Sequence, residues 1–376
     1  MRIAKFSPIF GNNIGDLMIS KCIAHLMSVN GIETDSYDLL LRTPQHDSNN
    51  KLRSKPSFKT VISTFLSLKL PWVFYQIKKV VFHKNKDVQK ILTICKDYDG
   101  VIFGGGNIVM SKYGSDYAYR VGKFGQALHD KPTAVYAAGA GPFHFEENKS
   151  IQKISEYLGK ITLRDSRSVE YFSNSENTPA ELFIDPAFVI SEISPALGKD
   201  KSYIGVNLMD GPLNEEALSF LAHDLVEFCQ RESLSVKIIN SAFPNDSKAG
   251  DILARNIKSI SSALKVDRTD LTSDIASISQ AYSDLKFFLG TRMHSQIFAL
   301  SYGVPTIGIN WDPKVDSMHR EFFQTRYSAK MIYQSMSPLD FSFYETIDLE
   351  DCVQLAKKRI YDNAEEMADY FRTAVI

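Results

Sequence analysis

Short apolar runs alternate with longer amphipathic stretches along almost the whole chain of 376 residues. The short runs predict buried strands, and the longer stretches have the apolar spacing of helices packed on one face. Such alternation is typical of α/β architecture with parallel sheets. A stretch rich in Ser, Pro, Gly and Lys at residues 191–201 interrupts the pattern and predicts a linker between two domains.

The predicted elements fall into two series. In the first, strands are expected at residues 2–6, near 37–40, and at 99–103, 133–138 and 161–163, with a helix at 16–30. In the second, strands at 202–208, 236–240 and 285–289 alternate with helices at 214–233, 274–283 and 295–302. A last helix is expected over 349–373. We therefore expect a Rossmann-like domain at 1–192, a second at 202–345, and a terminal helical segment at 346–376.

The composition is that of a soluble globular protein, with 44% hydrophobic and 23% charged residues. Four widely spaced cysteines form no C-x-x-C pair, which argues against a zinc or redox motif and fits a reducing cytoplasm. The N-terminus lacks the apolar core of a secretory signal, and no apolar run approaches the length of a membrane-spanning helix. We expect a cytoplasmic protein of two domains.

The net charge of −1 conceals an asymmetry. Residues 51–86 hold nine Lys or Arg and no acidic residue, so the remainder, with 34 basic and 44 acidic side chains, carries −10. Six aromatic residues are interleaved with these positive charges. The segment suits docking on an anionic membrane, or it is an ordinary pair of amphipathic helices with buried aromatics and solvated lysines. Nucleic-acid binding is disfavoured because no nucleic-acid motif is present.

Residues 290–314 carry the most specific candidate chemistry. Arg292 and His294 lie at the junction between a predicted strand and a predicted helix, and Lys314 follows the next strand. The carboxyl end of a parallel sheet is where ligands bind, and a helix N-terminus there adds backbone donors for an anion. Since the pKa of histidine lies near neutral pH, His294 suits general acid or base catalysis.

The loops that follow the first-series strands are more ambiguous. Asp16 could deprotonate a hydroxyl or simply cap a helix, and the glycines at 104–106 could admit a ligand or only close packing. Arg164 could bind a carboxylate or phosphate, or pair with Asp165. Asp185 before Pro186 favours an Asx-Pro turn.

Taken together and in order, seven of these segments resemble the polysaccharide pyruvyl transferase family. They are Asn13-Ile-Gly15-Asp16, Gly104-Gly-Gly-Asn107, Arg164-Asp165-Ser166, Asp185-Pro186-Ala187, Arg292-Met-His294-Ser295, Gly303-Val-Pro305 and Asp312-Pro-Lys314. The resemblance implies a GT-B-like fold with two Rossmann-like domains facing a central cleft and a C-terminal helix that crosses back to the first domain. The insertion at about 43–90 has no counterpart in the family pattern.

The resemblance also implies an activity. Family members transfer the pyruvyl group of phosphoenolpyruvate to two hydroxyls of a sugar, forming a cyclic ketal and releasing phosphate. It implies that Arg292 and Arg164 hold the donor, that His294 is the acid-base group, and that Lys314 neutralises phosphate. Asp16 is expected on the first domain, as the base for an acceptor hydroxyl. The other residues expected to contact substrate are Asn13, Gly105, Gly106, Asn107 and Ser295.

Two alternatives remain open. A nucleotide-sugar glycosyltransferase of the same fold would also grip phosphates with Arg and Lys, and a catalytically silent glycan-binding protein would bind no donor. We expect no metal and no cofactor beyond phosphoenolpyruvate as donor substrate. If the acceptor is a lipid-linked oligosaccharide, residues 51–86 would place the enzyme at the inner face of the plasma membrane.

Overall fold

A computed structural model describes most of the chain. The described residues are 1–11, 13–42, 66, 70, 73, 86–110, 117–141, 148–172, 179–242, 246–324 and 338–375, with the backbone alone at 148–152. The basic and aromatic segment at 51–86, and the docking role expected for it, therefore lie almost wholly outside the described residues.

The chain forms two compact units. Unit 1 comprises Met1–Gly11, Ile19–Asp185 and Tyr361–Ile376, and unit 2 comprises Asn12–Met18 and Pro186–Ile360. Each unit contains one parallel sheet flanked by helices. The expectation of an α/β chain with two Rossmann-like domains is confirmed.

Unit 1 is built on a six-stranded sheet with the order β2-β1-β3-β4-β5-β6. Its strands are β1 (Arg2–Ser7), β2 (Glu33–Asp38), β3 (Gly100–Gly104), β4 (Thr133–Ala138), β5 (Lys160–Leu163) and β6 (Glu181–Leu182). Among the residues that the structure describes, the helices bounded in this part of the sequence are α1 (Ile14–Val29), α2 (Lys86–Cys95), α3 (Tyr117–Ala127), α4 (Asn148–Tyr157) and α5 (Ser166–Glu170). Every residue of β3 and β4 is buried, as expected for central parallel strands covered on both faces.

Unit 2 is built on a five-stranded sheet with the order β11-β10-β7-β8-β9. Its strands are β7 (Tyr203–Asn207), β8 (Ser235–Asn240), β9 (Val266–Asp270), β10 (Leu285–Gly290) and β11 (Thr306–Gly308). Its helices are α6 (Ile190–Ile193), α7 (Glu215–Glu232), α8 (Ser247–Ile260), α9 (Ala276–Tyr282), α10 (Met293–Ser301) and α11 (Pro313–Phe323), with short 3₁₀ turns at Pro186–Val189 and Ser342–Glu345. In the strand order, β10 lies between β11 and β7, so the loop after β10 starts from the interior of the carboxyl edge.

The chain ends in the long helix α12 (Leu349–Ala374). Its last part, from Tyr361, belongs to unit 1. Phe371 is fully buried, and its ring lies where a side chain on Gly100 would be. Tyr370 donates a hydrogen bond from its hydroxyl to the Thr133 carbonyl at 3.1 Å. Apolar packing and this bond both hold the last part of the helix on unit 1.

The division between the units differs from the expected linker. Residues 195–202 are exposed, which explains their polar sequence, but they lie within unit 2. The chain passes from one unit to the other at Asp185 and Pro186, which are both buried. Phe188 stacks on Phe322 at 4.7 Å between ring centroids, and this packing assigns the segment after Pro186 to unit 2.

Polar edge strands account for the elements that the pattern misplaces. β2 lies at Glu33–Asp38 rather than near 37–40, and β9 at Val266–Asp270 was not expected. Both lie at the edge of a sheet and have mostly polar, partly exposed residues. Since an edge strand buries little apolar surface, its sequence lacks the apolar run that marks central strands.

Candidate functional site

The carboxyl end of the unit 2 sheet collects polar side chains from three neighbouring strands. β7 ends at Asn207, β8 is followed by Ser241, and β10 is followed by Thr291 and Arg292. Asn207, Ser241 and Thr291 are buried. Buried polar groups must be hydrogen-bonded to be stable, so this edge is held by a network rather than by apolar contact.

Asp246 is the centre of this network and is fully buried. Its Oδ2 accepts from Ala242 N at 2.9 Å, from Ser241 N at 3.1 Å and from Ser241 Oγ at 3.2 Å. Its Oδ1 accepts from Arg292 Nε at 3.0 Å and from Arg292 Nη2 at 2.6 Å. The backbone N–H of Arg292 donates to Asn207 Oδ1 at 3.1 Å. Arg292 is thus held through both its side chain and its backbone.

Helix α10 begins directly after Arg292, its N-cap residue, which makes no side-chain hydrogen bond to the helix. The first N–H groups of a helix have no intrahelical acceptor and carry the positive end of the helix dipole. Ser295, in this first turn, is fully buried and donates to Ser241 Oγ at 3.1 Å. The start of α10 is therefore fixed to the tip of β8 and is suited to an anion.

His294 lies in the first turn of α10 and is half-buried. It packs directly on the backbone of Gly15: a methyl group on Gly15 would lie 2.3 Å from His294 Nδ1 and 2.7 Å from its Cβ. No side chain other than hydrogen fits at position 15 while the imidazole keeps this place.

The segment around Gly15 is anchored to the tip of β8 in unit 2. Asn13 forms an antiparallel bridge with Ala242, and Ile14 N donates to Ser241 O at 3.0 Å. Asn13 Nδ2 donates to Asp16 Oδ2 at 3.0 Å. We expected Asp16 on the first domain, away from His294. The structure instead groups Asn12–Met18 with unit 2, because the backbone of this loop pairs with the β8 tip.

Lys314 lies in the first turn of α11, where the carboxylate of Asp312 caps the helix. Its ammonium is 3.7 Å from Asp312 Oδ2 and 4.8 Å from the ring centroid of Trp311, and its side chain is 34% exposed. Trp311 is tied to the loop after β10 through Nε1, which donates to Thr291 O at 2.7 Å. The structure thus connects the Lys314 and Arg292 segments, as their closeness in sequence suggests.

A second histidine stands behind the same loop. His319 is fully buried, and its Nε2 lies 2.7 Å from Gln296 Oε1. Gln296 Nε2 in turn donates to Gly290 O at 2.8 Å, so Oε1 accepts and His319 carries its proton on Nε2. Burial lowers the pKa of His319 to about 3, so it stays neutral at physiological pH and supports the loop instead of exchanging protons.

Unit 1 has its own polar strand tips. Gly105 and Gly106 follow β3 with φ of +85° and +73°, a conformation that favours glycine. Asn107 Nδ2 donates to Gly141 O at 3.0 Å. A methyl group on Gly139 would lie 2.6 Å from Asn107 Oδ1 and 2.8 Å from Arg164 Nη2. The loops after β3, β4 and β5 therefore meet at Gly139.

Arg164 is buried within this meeting point and pairs with carboxylates. Its side chain is 5% exposed, Nη1 donates to Asp185 Oδ2 at 3.1 Å, and Nε is 3.8 Å from Asp165 Oδ2. Asp165 also caps α5 by accepting from Ser168 N at 2.8 Å. Two carboxylates already balance this guanidinium, so the geometry favours the ion-pair interpretation of Arg164 and gives Asp185 a role beyond a turn.

Sequence reasoning missed Asn207, Ser241 and Asp246. Asn207 ends a central strand and Ser241 follows another, so their position at the carboxyl edge could have marked them. Asp246 lies beyond the tip of β8 in a segment without apolar pattern, and no local signal marks it. Among the residues that the structure describes, no three His, Cys, Asp or Glu side chains are grouped to hold a metal ion. In that same part of the chain, no helix is long and apolar enough to cross a bilayer.

Comparisons with solved structures agree with this architecture. UDP-GlcNAc 2-epimerase from Neisseria meningitidis bound to UDP-GlcNAc is similar with a TM-score of 0.56 and 11% identity, covering 99% of this chain and 100% of that one. The same enzyme from Methanocaldococcus jannaschii gives 0.54 and 11%, with 99% and 100% coverage. A glycosyltransferase from Rickettsia africae gives 0.53 and 11%, with 99% and 96% coverage. At such identities the likeness shows the fold alone, which is GT-B-like.

At the level of sequence, no curated protein matches the chain. The profile of the family described as "Polysaccharide pyruvyl transferase" matches residues 13–313. That range begins at Asn13 and includes Arg292, His294 and Asp312, which belong to the candidate site of unit 2. The chain belongs to the polysaccharide pyruvyl transferase family and is a transferase.

Proposed function

We propose that the protein transfers the pyruvyl group of phosphoenolpyruvate to two hydroxyls of a sugar in a cell-surface polysaccharide precursor. The observation that carries this proposal is the meeting of Arg292, the start of α10 and His294 at one strand tip. An anionic donor that must be protonated requires positive charge, hydrogen-bond donors and an acid. Arg292, the first backbone N–H groups of α10 and the half-buried imidazole of His294 are suited to these three tasks. The family supports pyruvyl transfer to a polysaccharide in general, and the donor is our inference.

Recognition of the donor follows from its charges. Phosphoenolpyruvate carries one carboxylate and one phosphate, and guanidinium binds such groups with two parallel N–H bonds. Arg292 and the first N–H groups of α10 would hold one of them, while Lys314, 34% exposed, would approach the other. Arg164 is a weaker candidate for this role because Asp165 and Asp185 already pair with it.

The proposed reaction balances without a cofactor. A proton added to the methylene carbon of phosphoenolpyruvate generates an oxocarbenium-like centre, and the first sugar hydroxyl forms a C–O bond there and loses its proton. The second hydroxyl then forms another C–O bond at the same carbon while the bond from that carbon to the phosphate oxygen breaks. Phosphate leaves with the bonding electron pair, and the proton of the second hydroxyl passes to it. The product is a pyruvate ketal with a new methyl group.

We assign the proton transfers to two residues of unit 2. His294 is the candidate for delivering the proton to the methylene carbon, with its Nδ1 side against Gly15 and Nε2 as the proton carrier. Asp16, one residue beyond Gly15, is the candidate for receiving the proton of an acceptor hydroxyl. Asn13 orients its carboxylate through the 3.0 Å hydrogen bond to Oδ2. Both residues belong to unit 2, and Gly15, the neighbour of Asp16, packs against His294.

The acceptor proposed is a lipid-linked oligosaccharide at the cytoplasmic face of the membrane. Support comes from the sequence of residues 51–86, whose nine Lys or Arg and absence of acidic residues suit an anionic surface. Sedimentation with vesicles containing anionic lipid tests this. Binding that is lost when Lys78, Lys79, Lys84 and Lys86 are neutralised supports the proposal, and binding that persists contradicts it.

The decisive experiment measures donor chemistry. Purified protein is incubated with a panel of lipid-linked sugars and phosphoenolpyruvate, and products are examined by mass spectrometry while released phosphate is measured. We expect a pyruvate ketal and one phosphate per ketal. Release of nucleotide from a nucleotide sugar, with no use of phosphoenolpyruvate, would instead show a glycosyltransferase.

Two histidine variants then test the site. His294→Gln should reduce ketal formation by about 10²-fold or more while phosphoenolpyruvate still binds, since general acid catalysis contributes 10²–10⁴-fold. His223→Gln is the matched control, because His223 is exposed on α7. Equal activity of both variants would remove His294 from the mechanism.

A further inference from the structure

Asp246 has an arrangement that its place in the fold does not require. It occupies the N-cap position of α8, yet its side chain makes no capping hydrogen bond to that helix. Asp210 serves α8 instead, since its Oδ1 accepts from Ala249 N at 2.7 Å. The Asp246 carboxylate is turned to the Ser241 loop and to Arg292. A fully buried carboxylate directed at a side chain that is itself 20% exposed points to a role in positioning that side chain.

The two oxygens of Asp246 have separate tasks. In the part of the chain that the structure describes, Oδ2 accepts from the loop and strand tips, namely from Ala242 N, from Ser241 N and Oγ, and from Asn207 Nδ2 at 3.4 Å. Among the described residues, Oδ1 accepts from Arg292, through Nε and Nη2. The loop therefore fixes the carboxylate, and the carboxylate fixes the guanidinium.

This pairing uses the Nε edge of the Arg292 guanidinium. The end of the guanidinium, formed by Nη1 and the second N–H of Nη2, has no acceptor among the described residues. The arginine side chain has five N–H groups, and Asp246 accepts hydrogen bonds from the one on Nε and from one on Nη2. In the described residues, no protein atom accepts from the two N–H groups of Nη1 or from the second one of Nη2. The Nη1 and Nη2 groups that point along the end of the side chain form a planar fork, the geometry that binds a carboxylate or phosphate with two parallel bonds.

We propose that Asp246 is a positioning residue that holds Arg292 by its Nε edge, so that the end-on Nη1/Nη2 fork is presented to the anionic group of the donor. This inference rests on the proposed function for the identity of that anion, phosphoenolpyruvate. Preorganisation of this kind lowers the entropy lost when the ligand binds, and misplacement of a positioning group by about 1 Å can cost on the order of 10²-fold.

Asp246→Asn separates this role from support of the loop. Four donors face the Oδ2 position, so the amide oxygen of the introduced asparagine must occupy it, and the amide NH₂ must face the Nε and Nη2 donors of Arg292. The substitution keeps the loop bonds and breaks the link to Arg292. Asp251→Asn is the matched control, because Asp251 lies on the same helix α8 with a side chain 51% exposed.

Titration calorimetry with phosphoenolpyruvate, without acceptor, measures the effect directly. We expect Asp246→Asn to weaken binding by tenfold or more and Asp251→Asn to leave it unchanged. In the Arg292→Ala background, Asp246→Asn should have no further effect, because a residue that acts through Arg292 has nothing left to position. Unaltered affinity in a folded Asp246→Asn protein, or a further loss in the Arg292→Ala background, would overturn the inference.

Two additional measurements keep the test decisive. If Asp246→Asn does not fold, Arg292→Lys tests the fork alone, because an ammonium can pair with Asp246 but cannot offer two parallel donors. Wild-type affinity in this variant would overturn the inference.

Titration with inorganic phosphate separates this inference from the proposed function. Phosphate binding that depends on Asp246, without turnover of phosphoenolpyruvate, would refute the donor and support the positioning role, whereas no binding of either anion would refute both.

Discussion

The contact between Gly15 and His294 allows a prediction in which the sign of a stability change tests the geometry. Gly15 is the second residue of α1 and has an ordinary helical φ. Alanine is preferred to glycine in helices by roughly 0.5–1 kcal/mol, so Gly15→Ala on its helix alone should stabilise the protein. In the folded protein, however, the new methyl group would lie 2.3 Å from His294 Nδ1.

The magnitude follows from the distance. Nonbonded heavy atoms pack at about 3.5 Å or more, so the imidazole must move by at least about 1 Å. Overpacking of this kind costs about 1–3 kcal/mol. We expect Gly15→Ala to destabilise the protein by about 1–2 kcal/mol. If His294 has the role proposed above, ketal formation should also fall by on the order of 10²-fold, because a displacement of about 1 Å costs that much.

A double-mutant cycle isolates the contact. His294→Gly removes all three atoms that approach Gly15, including Cβ, which His294→Ala would keep at 2.7 Å. In the His294→Gly background, Gly15→Ala should therefore change sign and stabilise the protein. Urea denaturation of the four proteins gives a coupling energy of about 1–3 kcal/mol. The reasoning is refuted if Gly15→Ala stabilises the wild-type protein, or if the coupling is below about 0.5 kcal/mol.

Three further predictions concern stability. Burial lowers the pKa of Lys5 to about 7, well below that of an unfolded lysine. Because the unfolded state then binds more protons than the folded state between pH 7 and 10, the free energy of unfolding should rise by roughly 2 kcal/mol from pH 7 to 9. Urea titrations should show this rise in the wild-type protein and not in Lys5→Met. Asp185→Ala leaves the buried Arg164 without its nearest carboxylate and should cost about 3–5 kcal/mol in the same assay. Phe371→Ala should cost about 3–5 kcal/mol by opening a cavity beside Gly100. Parallel pH profiles for wild type and Lys5→Met, or losses below 1 kcal/mol for the other two variants, would contradict these arguments.

The fold was largely predictable because central parallel strands are apolar on both faces. β3, β4 and β10 appear in the sequence as compact apolar runs, and the structure places them in the interior of their sheets. The polar edge strands β2 and β9 carry no such run, and their placement depended on pairing with a neighbour. The division at Asp185 could not be predicted either, because it is marked by buried residues and not by a polar linker.

The candidate site shows the same limit at the level of side chains. Arg292 and His294 could be predicted as candidates because they are adjacent at a strand-to-helix junction. Asp246, which holds Arg292, is 46 residues away in sequence, and no periodicity links the two. Arg164 was expected to bind an anion, but its electrostatics depend on Asp185, 21 residues further on.

The sequence by itself determined the two α/β units, the family and the residues at the start of α10, because these depend on local apolar pattern and on short motifs. Tertiary structure alone decided which groups face one another. It brought Gly15 and Asp16 into unit 2 beside the β8 tip, paired Arg292 with Asp246, and buried Arg164 between two carboxylates. Hydrogen bonds and steric fit act over a few ångströms in space, so the partners they select need leave no trace in sequence spacing.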